Sequence, residues 1–148
     1  MIDFSISRTS EEEVRKFLRD NYKQFDIEFS VTCEDTDYSY KLYSKSSRFE
    51  LWYDKKLIGM LCVYFNRDLQ QAYIPYICVC NEYKGKGLGS VLLEKLIDYI
   101  KKNKSYISFL ALEVLISNIS AQAFYSKFQF KEYSRNELKI QMRKQLIK

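Results

Sequence analysis

The sequence contains no histidine, one proline, one tryptophan and only four glycines among its 148 residues. Without histidine, Ser-His-Asp and Cys-His catalysis are excluded, and the chain lacks the commonest metal ligand. The four cysteines form no Cys-x-x-Cys pair, so a zinc site is not expected either. We therefore expect a site without a metal, built from other side chains and from the backbone.

Long apolar segments and strong charge are also lacking. The longest apolar run, LIGMLCVYF, is about half of the roughly 20 residues that a membrane helix requires. The first residues, MIDFSISRTSEEE, lack the charged and apolar regions of a signal peptide. The net charge of +5 is mild and without a long single-sign run, so it gives little support to nucleic-acid binding. These features predict a cytoplasmic protein with reduced cysteines and neither a membrane nor a nucleic-acid partner.

The composition indicates a folded domain with a dense core. Hydrophobic residues make up 47% of the chain and aromatic residues 16%, which is far from the composition of disordered segments. No internal repeat, low-complexity linker or Pro/Gly-rich break divides the sequence. Residues 1–148 are therefore predicted to form a single α/β domain with a mixed sheet.

Periodicity places the elements. Strands are predicted for FSISRT, for the three runs RFELWY, KLIGMLCVYF and QAYIPYICVC, which suggest an antiparallel meander, and for FKEYSR and ELKIQMRK. The nearly continuous apolar run YISFLALEVLI predicts a strand buried on both faces. Helices are predicted for TSEEEVRKFLRDNYKQF, LGSVLLEKLIDYIKKNK and SNISAQAFYSKF. Between residues 26 and 46 the pattern is ambiguous: DIEFSVTC alternates like a strand, and DTDYSYKLYSKSS fits a short helix.

The only proline, Pro75, lies inside a predicted strand. Proline has no amide hydrogen to donate to a neighbouring strand, so pairing is expected to be interrupted there. A bulge or the parting of two strands accounts for it, and an edge position or an earlier strand start is the alternative.

Three of the four glycines are gathered in NEYKGKGLGS, at positions 85, 87 and 89, between a strand and a helix. The first amides of a helix have no intrahelical partner, and the helix dipole favours an anion there. Lys84 and Lys86 add positive charge, so the stretch predicts a phosphate or pyrophosphate site. The spacing fits neither a P-loop nor a GxGxxG dinucleotide motif. An ordinary glycine-rich turn is the alternative.

ICVCNEYKGKGLGSVLLEKL resembles motif A of the GNAT acetyltransferase superfamily, whose pattern Arg/Gln-x-x-Gly-x-Gly/Ala becomes Lys84-x-x-Gly87-x-Gly89 here. In that family the loop amides hold the pyrophosphate of coenzyme A, and the preceding strand pairs with the pantetheine arm. The resemblance implies acetyl-CoA as cosubstrate. It assigns to the arm Ile77, Cys78 and Val79, and to the phosphates Lys84, Gly85, Lys86, Gly87, Leu88, Gly89 and Ser90.

LEVLISNISAQAFYSKFQFKE is similar to motif B of the same family, with four positions in register: Asn118, Ala121, Tyr125 and Phe130. Gln129 stands where glycine is usual, so a strained residue is expected at that helix end. The resemblance implies the GNAT fold: a mixed, mostly antiparallel twisted sheet flanked by helices. Two central strands of that fold splay apart in a V, which would account for Pro75.

Acetyl transfer to an amine requires one proton to leave the amine and another to reach the thiolate. By resemblance, Tyr125 is the general acid and Asn118 contacts the cofactor arm; core packing is the alternative for Tyr125. Glu113 is an acid in an apolar strand, where burial would strengthen it as a base. In GNAT relatives that acetylate ribosomal-protein N-termini, the glutamate of a similar LEV is the proposed base. Two alternatives stay open. Glu113 is a structural acid paired with a nearby donor, or a water chain removes the proton and no residue serves as a dedicated base.

A backbone N–H at Cys78 or Val79 is expected to stabilise the oxyanion. The acceptor pocket is expected from residues 34–47 and from the loops at 66–70 and 134–137. Its candidate lining tyrosines are Tyr38, Tyr40 and Tyr43, for which a place on a solvated helix or in the core is the favoured alternative.

The sequence thus predicts an acetyl-CoA-dependent N-acetyltransferase acting by direct attack in a ternary complex. The predicted acceptor is a primary amine of a small molecule, with an amino sugar or a sugar nucleotide as candidates. Protein N-terminal or lysine acetylation and a non-catalytic acyl-CoA sensor are the alternatives. A homodimer is left open.

Overall fold

A computed structural model of the protein describes residues 1–22 and 36–146. The strands are β1 (Ile2–Ile6), β2 (Ser47–Tyr53), β3 (Lys56–Asn66), β4 (Gln71–Val79), β5 (Phe109–Leu115), β6 (Lys131–Arg135) and β7 (Lys139–Gln145). The helices are α1 (Glu11–Asn21), α2 (Thr36–Lys45), α3 (Leu88–Asn103) and α4 (Ile119–Lys127).

The seven strands form one sheet in the order β1-β2-β3-β4-β5-β7-β6. Every neighbouring pair is antiparallel except β4 and β5, which are parallel. The predicted meander of β2, β3 and β4 and the mixed, mostly antiparallel sheet are both confirmed. The helix alternative for DTDYSYKLYSKSS is also confirmed, as α2, whereas the strand considered for DIEFSVTC lies outside the described residues.

The two central strands part soon after they meet. Strand β4 pairs with β5 only over Gln71–Tyr73, opposite Phe109–Ala111. The remaining residues of β4, from Ile74 to Val79, have no partner in β5 although the strand continues. This is the V-shaped splay that the sequence predicted next to Pro75.

Pro75 also lies at a bulge in the pairing of β4 with β3. Cys62 pairs with Tyr76, but Tyr64 pairs with Tyr73. Two residues of β4 therefore stand opposite a single residue of β3, and one of the two is Pro75. Because the amide that proline lacks would have no regular partner in a bulge, the residue costs little here. Strand β4 as a whole has a neighbour on each side, but from Ile74 onward its side toward β5 is unpaired, so Pro75 lies at a local edge as well as at a bulge.

Helices cover both faces of the sheet. In α3, the Tyr99 ring packs edge-on against Phe49 of β2, with the centroids 5.5 Å apart. In α1, the Phe17 ring packs edge-on against Tyr76 of β4 at 6.3 Å. Strand register aligns Phe49 with Ile77, the neighbour of Tyr76. Since successive residues of a strand point to opposite faces, α1 and α3 lie on opposite sides of the sheet.

A buried network fixes α1 and α2 over β2. The Glu50 carboxylate accepts hydrogen bonds from the Arg8 and Thr9 amides at 2.8 and 3.0 Å, just before α1 begins. Arg48 lies 3.6 Å from Glu50 and donates to the Tyr43 carbonyl at the end of α2, at 2.6 Å. Both charges are buried, so these bonds offset the cost of removing them from water.

No helix in the described part of the chain combines the length and the apolar character needed to cross a membrane. The apolar faces of α1 and α3 are buried, although Val91 and Tyr99 of α3 are only partly buried. Helix α1 begins with a capping box, in which Ser10 and Glu13 each accept a hydrogen bond from the other's amide.

Gln129 follows α4 with a φ of +72°, as expected from its place in the motif. A left-handed conformation costs an L-residue about 1–2 kcal/mol, and the greater unfolded-state freedom of glycine offsets part of that. Gln129→Gly is therefore expected to raise the free energy of unfolding in urea by about 0.5–1 kcal/mol. Gln129→Ala keeps the Cβ and serves as control. Equal stability of the two variants would contradict the assignment of strain.

Candidate active site

A cavity of about 920 Å³ opens where β4 and β5 part. Its walls come from β4, the connector to α3, the first turn of α3, β5 and α4. The sequence-predicted site residues that line it are Ile77, Cys78, Val79, Lys84, Gly85, Gly87, Leu88, Gly89, Ser90, Glu113, Asn118 and Tyr125. The tertiary structure thus brings two separate motifs and the LEV glutamate to one space.

Lys86 is the exception among these predicted residues. Its side chain is exposed and does not line the cavity. Its Nζ instead lies 5.7 Å from the ring centroid of Tyr83. The side chain of Lys86 therefore does not face the cavity, and the predicted contribution of this residue to the phosphate site is left to its backbone.

Gly85 and Gly87 have the same left-handed backbone conformation, each with a φ of +78°. A Cβ on either residue would meet nothing within 4 Å, so conformation and not crowding favours glycine at both. The first intrahelical bond of α3 runs from the Val91 amide to the Gly87 carbonyl. The amides of Leu88, Gly89 and Ser90 come before this first intrahelical bond. These residues line the cavity, where an anion can accept hydrogen bonds from their amides.

Close packing, and not backbone conformation, favours glycine at position 89. A Cβ at this position would lie 3.2 Å from Cζ of Phe124 in α4. Glycine therefore lets α4 pack closely against the start of α3. Sequence reasoning missed this contact because nothing in the glycine pattern names the partner across the cavity.

The unpaired edge of β4 supplies further amide donors. The Cys80 amide donates to the Ile58 carbonyl of β3 at 2.8 Å. Amide directions alternate along an antiparallel strand, so the Cys78 amide also points to β3. The amides of Ile77 and Val79 point the other way, to the side from which β5 has parted. Of the two predicted oxyanion donors, the geometry thus favours Val79 over Cys78.

Tyr125 packs against neighbouring aromatic rings and also lines the cavity. Its ring lies 5.6 Å from Phe130 and 5.3 Å from Phe124, and its residue is 9% exposed. Burial, and secondarily the nearby Cys78 thiol, raises the pKa of the Tyr125 phenol well above its ordinary range. The hydroxyl therefore stays protonated at neutral pH, the state required of a proton donor.

Cys78 faces the same cavity but is a poor nucleophile. Burial raises the pKa of its thiol to about 12. Only the thiolate attacks an acyl group, and that form is scarce at neutral pH for such a thiol. Cys78 is thus a small buried thiol, and Cys80, two residues further along the chain, is buried as well.

Asn118 begins α4 as its N-cap. Its Oδ1 accepts from the Ala121 amide at 3.2 Å and from Ser120 Oγ at 3.4 Å. This capping fixes the start of the helix that carries Tyr125. Sequence reasoning missed this local role and assigned the side chain to the cofactor arm alone.

Glu113 is exposed, whereas the sequence predicted a strand buried on both faces. The difference arises because β4 leaves β5 after Tyr73 and uncovers this part of β5. One carboxylate oxygen of Glu113 accepts from the Tyr73 hydroxyl at 3.1 Å, and the other accepts from Gln141 Nε2 at 3.3 Å. Burial, then the Glu113 charge, raises the pKa of Tyr73, so its phenol remains a donor.

Only some of the residues predicted for the acceptor pocket line the cavity. Tyr38 lines the cavity, but Tyr40 is exposed outside it, and the Tyr43 ring lies 5.0 Å from the Arg48 guanidinium. The loops at 66–70 and 134–137 contribute no lining residue. Tyr73 and Lys139 line it instead, because strand order, and not loop position, decides what faces the splay.

The model of the acetyltransferase (GNAT) family matches residues 12–130. Streptothricin acetyltransferase A of Bacillus subtilis is 31% identical over 78% of this chain, which spans 61% of that protein's length. PaiA N-acetyltransferase of Thermoplasma acidophilum, solved with coenzyme A, superposes with a TM-score of 0.80 at 20% identity, covering 97% of this chain and 99% of the other.

The ribosomal-protein-S18-alanine N-acetyltransferase of Escherichia coli superposes with a TM-score of 0.75 at 24% identity, covering 98% of this chain and 94% of that one. At these identities the two structures establish the fold, and the family match establishes the kinship. The chain belongs to the acetyltransferase (GNAT) family.

Proposed function

We propose that this protein is an acetyl-CoA-dependent N-acetyltransferase that transfers the acetyl group directly to a primary amine of a small molecule. The observation that carries the proposal is one cavity holding a helix N-terminus, the free edge of β4, a protonated phenol and a carboxylate. The reaction is proposed for a single domain, residues 1–148, in the cytoplasm.

The residues present fit coenzyme A. The amides before the α3 ladder can hold its pyrophosphate, and Lys84 at the cavity wall adds positive charge. Ile77 and Val79 direct amides to the free edge of β4, where an extended amide-containing arm can pair with them. The bound thioester would supply an activated acetyl group. The structure of PaiA N-acetyltransferase with coenzyme A supports the same choice of cosubstrate.

Glu113 is the proposed base. Tyr73 and Gln141 each donate to a different oxygen of its carboxylate, so the group is held in one orientation at the cavity wall. An ammonium group placed there can pass its proton to the carboxylate and become a nucleophile. Val79 N–H then donates a hydrogen bond where negative charge develops on the carbonyl oxygen.

Tyr125 is the proposed acid. Its hydroxyl is protonated and lines the cavity, where it can donate to the departing sulfur. Direct transfer is favoured over an acyl-enzyme because Cys78, the cysteine that lines the cavity among residues 1–22 and 36–146, is held as a buried thiol.

The similarity to streptothricin acetyltransferase A supports a small-molecule acceptor, and amino sugars and sugar nucleotides remain the first candidates. Protein N-terminal acetylation is the second candidate function. It is supported by the Glu113 position in LEV and by the fold shared with the S18-alanine N-acetyltransferase. A sensor that binds acyl-CoA without turnover would keep the amide cradle and have no use for Glu113.

An amine panel tests the function. Purified protein is incubated with acetyl-CoA and amino sugars, sugar nucleotides, diamines, amino acids or short peptides, and free thiol is measured. Thiol release that requires a small amine is the expected result. Release with peptides alone would favour the second candidate. Tight acetyl-CoA binding without release for any amine would favour the sensor.

The cradle is tested by Gly87→Val. A β-branched residue at a φ of +78° is strained and displaces the first turn of α3. The dissociation constant of acetyl-CoA, measured by calorimetry, is expected to rise by about tenfold or more. Lys86→Gln, in the same loop but outside the cavity, is the control and is expected to bind nearly as wild type does. Unchanged affinity of Gly87→Val would contradict the cradle.

A further inference from the structure

Four strands place a row of residues across the sheet beside the Glu113 carboxyl. Tyr73 of β4 pairs with Ala111 of β5, which pairs with Arg143 of β7, which pairs with Lys131 of β6. Paired residues point to the same face, and so do residues two apart on a strand. Arg143 and Lys131 therefore lie on the sheet face that carries Glu113, at the edge where β6 ends the sheet.

Arg143 is held between two aromatic rings. Its guanidinium carbon lies 4.4 Å from the ring centroid of Phe109 and 4.7 Å from that of Tyr133. Stacking covers the faces of the guanidinium plane but leaves the N–H donors at its rim. A guanidinium fixed in this way loses little conformational freedom when a carboxylate or a phosphate binds it in the plane.

The two cations on this row are not neutralised by a described carboxylate. Like charges directly opposite each other on antiparallel strands destabilise the pairing, and Lys131 stands opposite Arg143. Among residues 1–22 and 36–146, no ion pair includes either side chain. The other arginine of this hairpin, Arg135, is by contrast paired with Glu132 at 2.6 Å.

We propose that Arg143 and Lys131 form an anion subsite of the acceptor site, and that the acceptor amine carries a carboxylate or a phosphate. The inference rests on the proposed function, since Glu113 receives the amine end. Diagonal neighbours on paired strands, such as Glu113 and Arg143, have Cα atoms about 7–8 Å apart. The Arg143 guanidinium extends from its Cα toward the Phe109 ring. An acceptor whose amine and anion are separated by at least that backbone spacing can reach both groups, which makes Arg143 a specificity-determining residue.

Matched pairs of acceptors test the subsite. Lysine and cadaverine differ by a carboxylate, and glucosamine 6-phosphate and glucosamine differ by a phosphate, so the two pairs separate the two anions. In wild type, the anionic member of at least one pair is expected to have the lower KM. Arg143→Gln is expected to raise that KM by about tenfold or more. The KM of the uncharged member, the KM of acetyl-CoA and kcat should stay nearly constant.

Two further variants sharpen the test. Lys144→Gln removes the same charge from the same strand, but its strand partner is the buried Leu110 on the opposite face, so no change in KM is expected. Lys131→Gln should act in the same direction as Arg143→Gln with a smaller effect. It also provides a second probe, should the Arg143 variant fail to fold. Arg143→Lys should recover part of the lost affinity because the charge remains.

The outcomes are distinct. Equal use of both members of each pair by wild type, or an equal rise in both KM values for Arg143→Gln, would overturn the subsite and leave the acetyltransferase intact. Failure of wild type to acetylate any of the four amines, while other small amines of the panel are acetylated, would overturn the subsite alone. Failure with every small amine of the panel would overturn both.

Discussion

Replacing Tyr125 by phenylalanine is expected to lower kcat by about 10²- to 10⁴-fold while leaving the affinity for acetyl-CoA nearly unchanged. The substitution keeps the ring that packs between Phe124 and Phe130 and removes only the hydroxyl. Because burial raises the pKa of this phenol, the wild-type hydroxyl stays protonated through the neutral and mildly alkaline range. Deprotonation of Tyr125 is therefore not expected to lower kcat below about pH 10.

The measurement is steady-state thiol release, with calorimetry for acetyl-CoA and thermal unfolding to verify the fold. Tyr40→Phe is the matched control, since Tyr40 is exposed outside the cavity and loses the same hydroxyl. If Tyr125 served only for packing, phenylalanine would be tolerated and kcat would not fall. That result would remove the assigned role of the acid.

Glu113→Gln is the second large effect, with an expected loss in kcat of about 10²-fold or more at neutral pH. Glutamine keeps an oxygen that can accept from Tyr73 but cannot take a proton from the amine. The deficit should shrink as pH rises toward 10, because an alkyl amine then loses its proton to solvent without help.

Tyr73→Phe is the matched variant for Glu113→Gln. It removes one hydrogen bond to the Glu113 carboxylate and keeps the proton acceptor. A positioning role predicts a loss of severalfold, far smaller than that of Glu113→Gln. A Glu113→Gln rate equal to wild type across the pH range would assign the base to a water chain instead.

The sequence correctly predicted features that depend on the residue type itself and on its immediate neighbours in the chain. The glycine cluster before an amphipathic segment predicted a helix start with free amides, and both Gly85 and Gly87 adopt the left-handed conformation that glycine permits. Pro75 predicted interrupted pairing because the missing amide is a property of the residue itself. Gln129 was predicted to be strained for the same kind of reason, and its φ is positive.

The sequence was insufficient where a residue's surroundings depend on elements that are distant along the chain. Glu113 was expected to be buried because its strand is apolar, yet the departure of β4 exposes it. Gly89 was assigned to the anion alone, but its Cβ position is limited by Phe124, 35 residues later. The resemblance assigned Lys86 to the phosphates, and the sequence could not tell that its side chain lies beside Tyr83, outside the cavity.

By itself the sequence determined the kinds of groups this protein can use: no imidazole, a cluster of helix-start amides, one phenol and one acid in ordered motifs. Only the tertiary structure decided which partners they have. Gln141 reaches Glu113 from 28 residues away because β7 lies beside β5, and Arg143 shares that face through the same pairing. Periodicity within a strand fixes which residues share a face, but strand order and register, set by packing of the whole core, fix which faces meet.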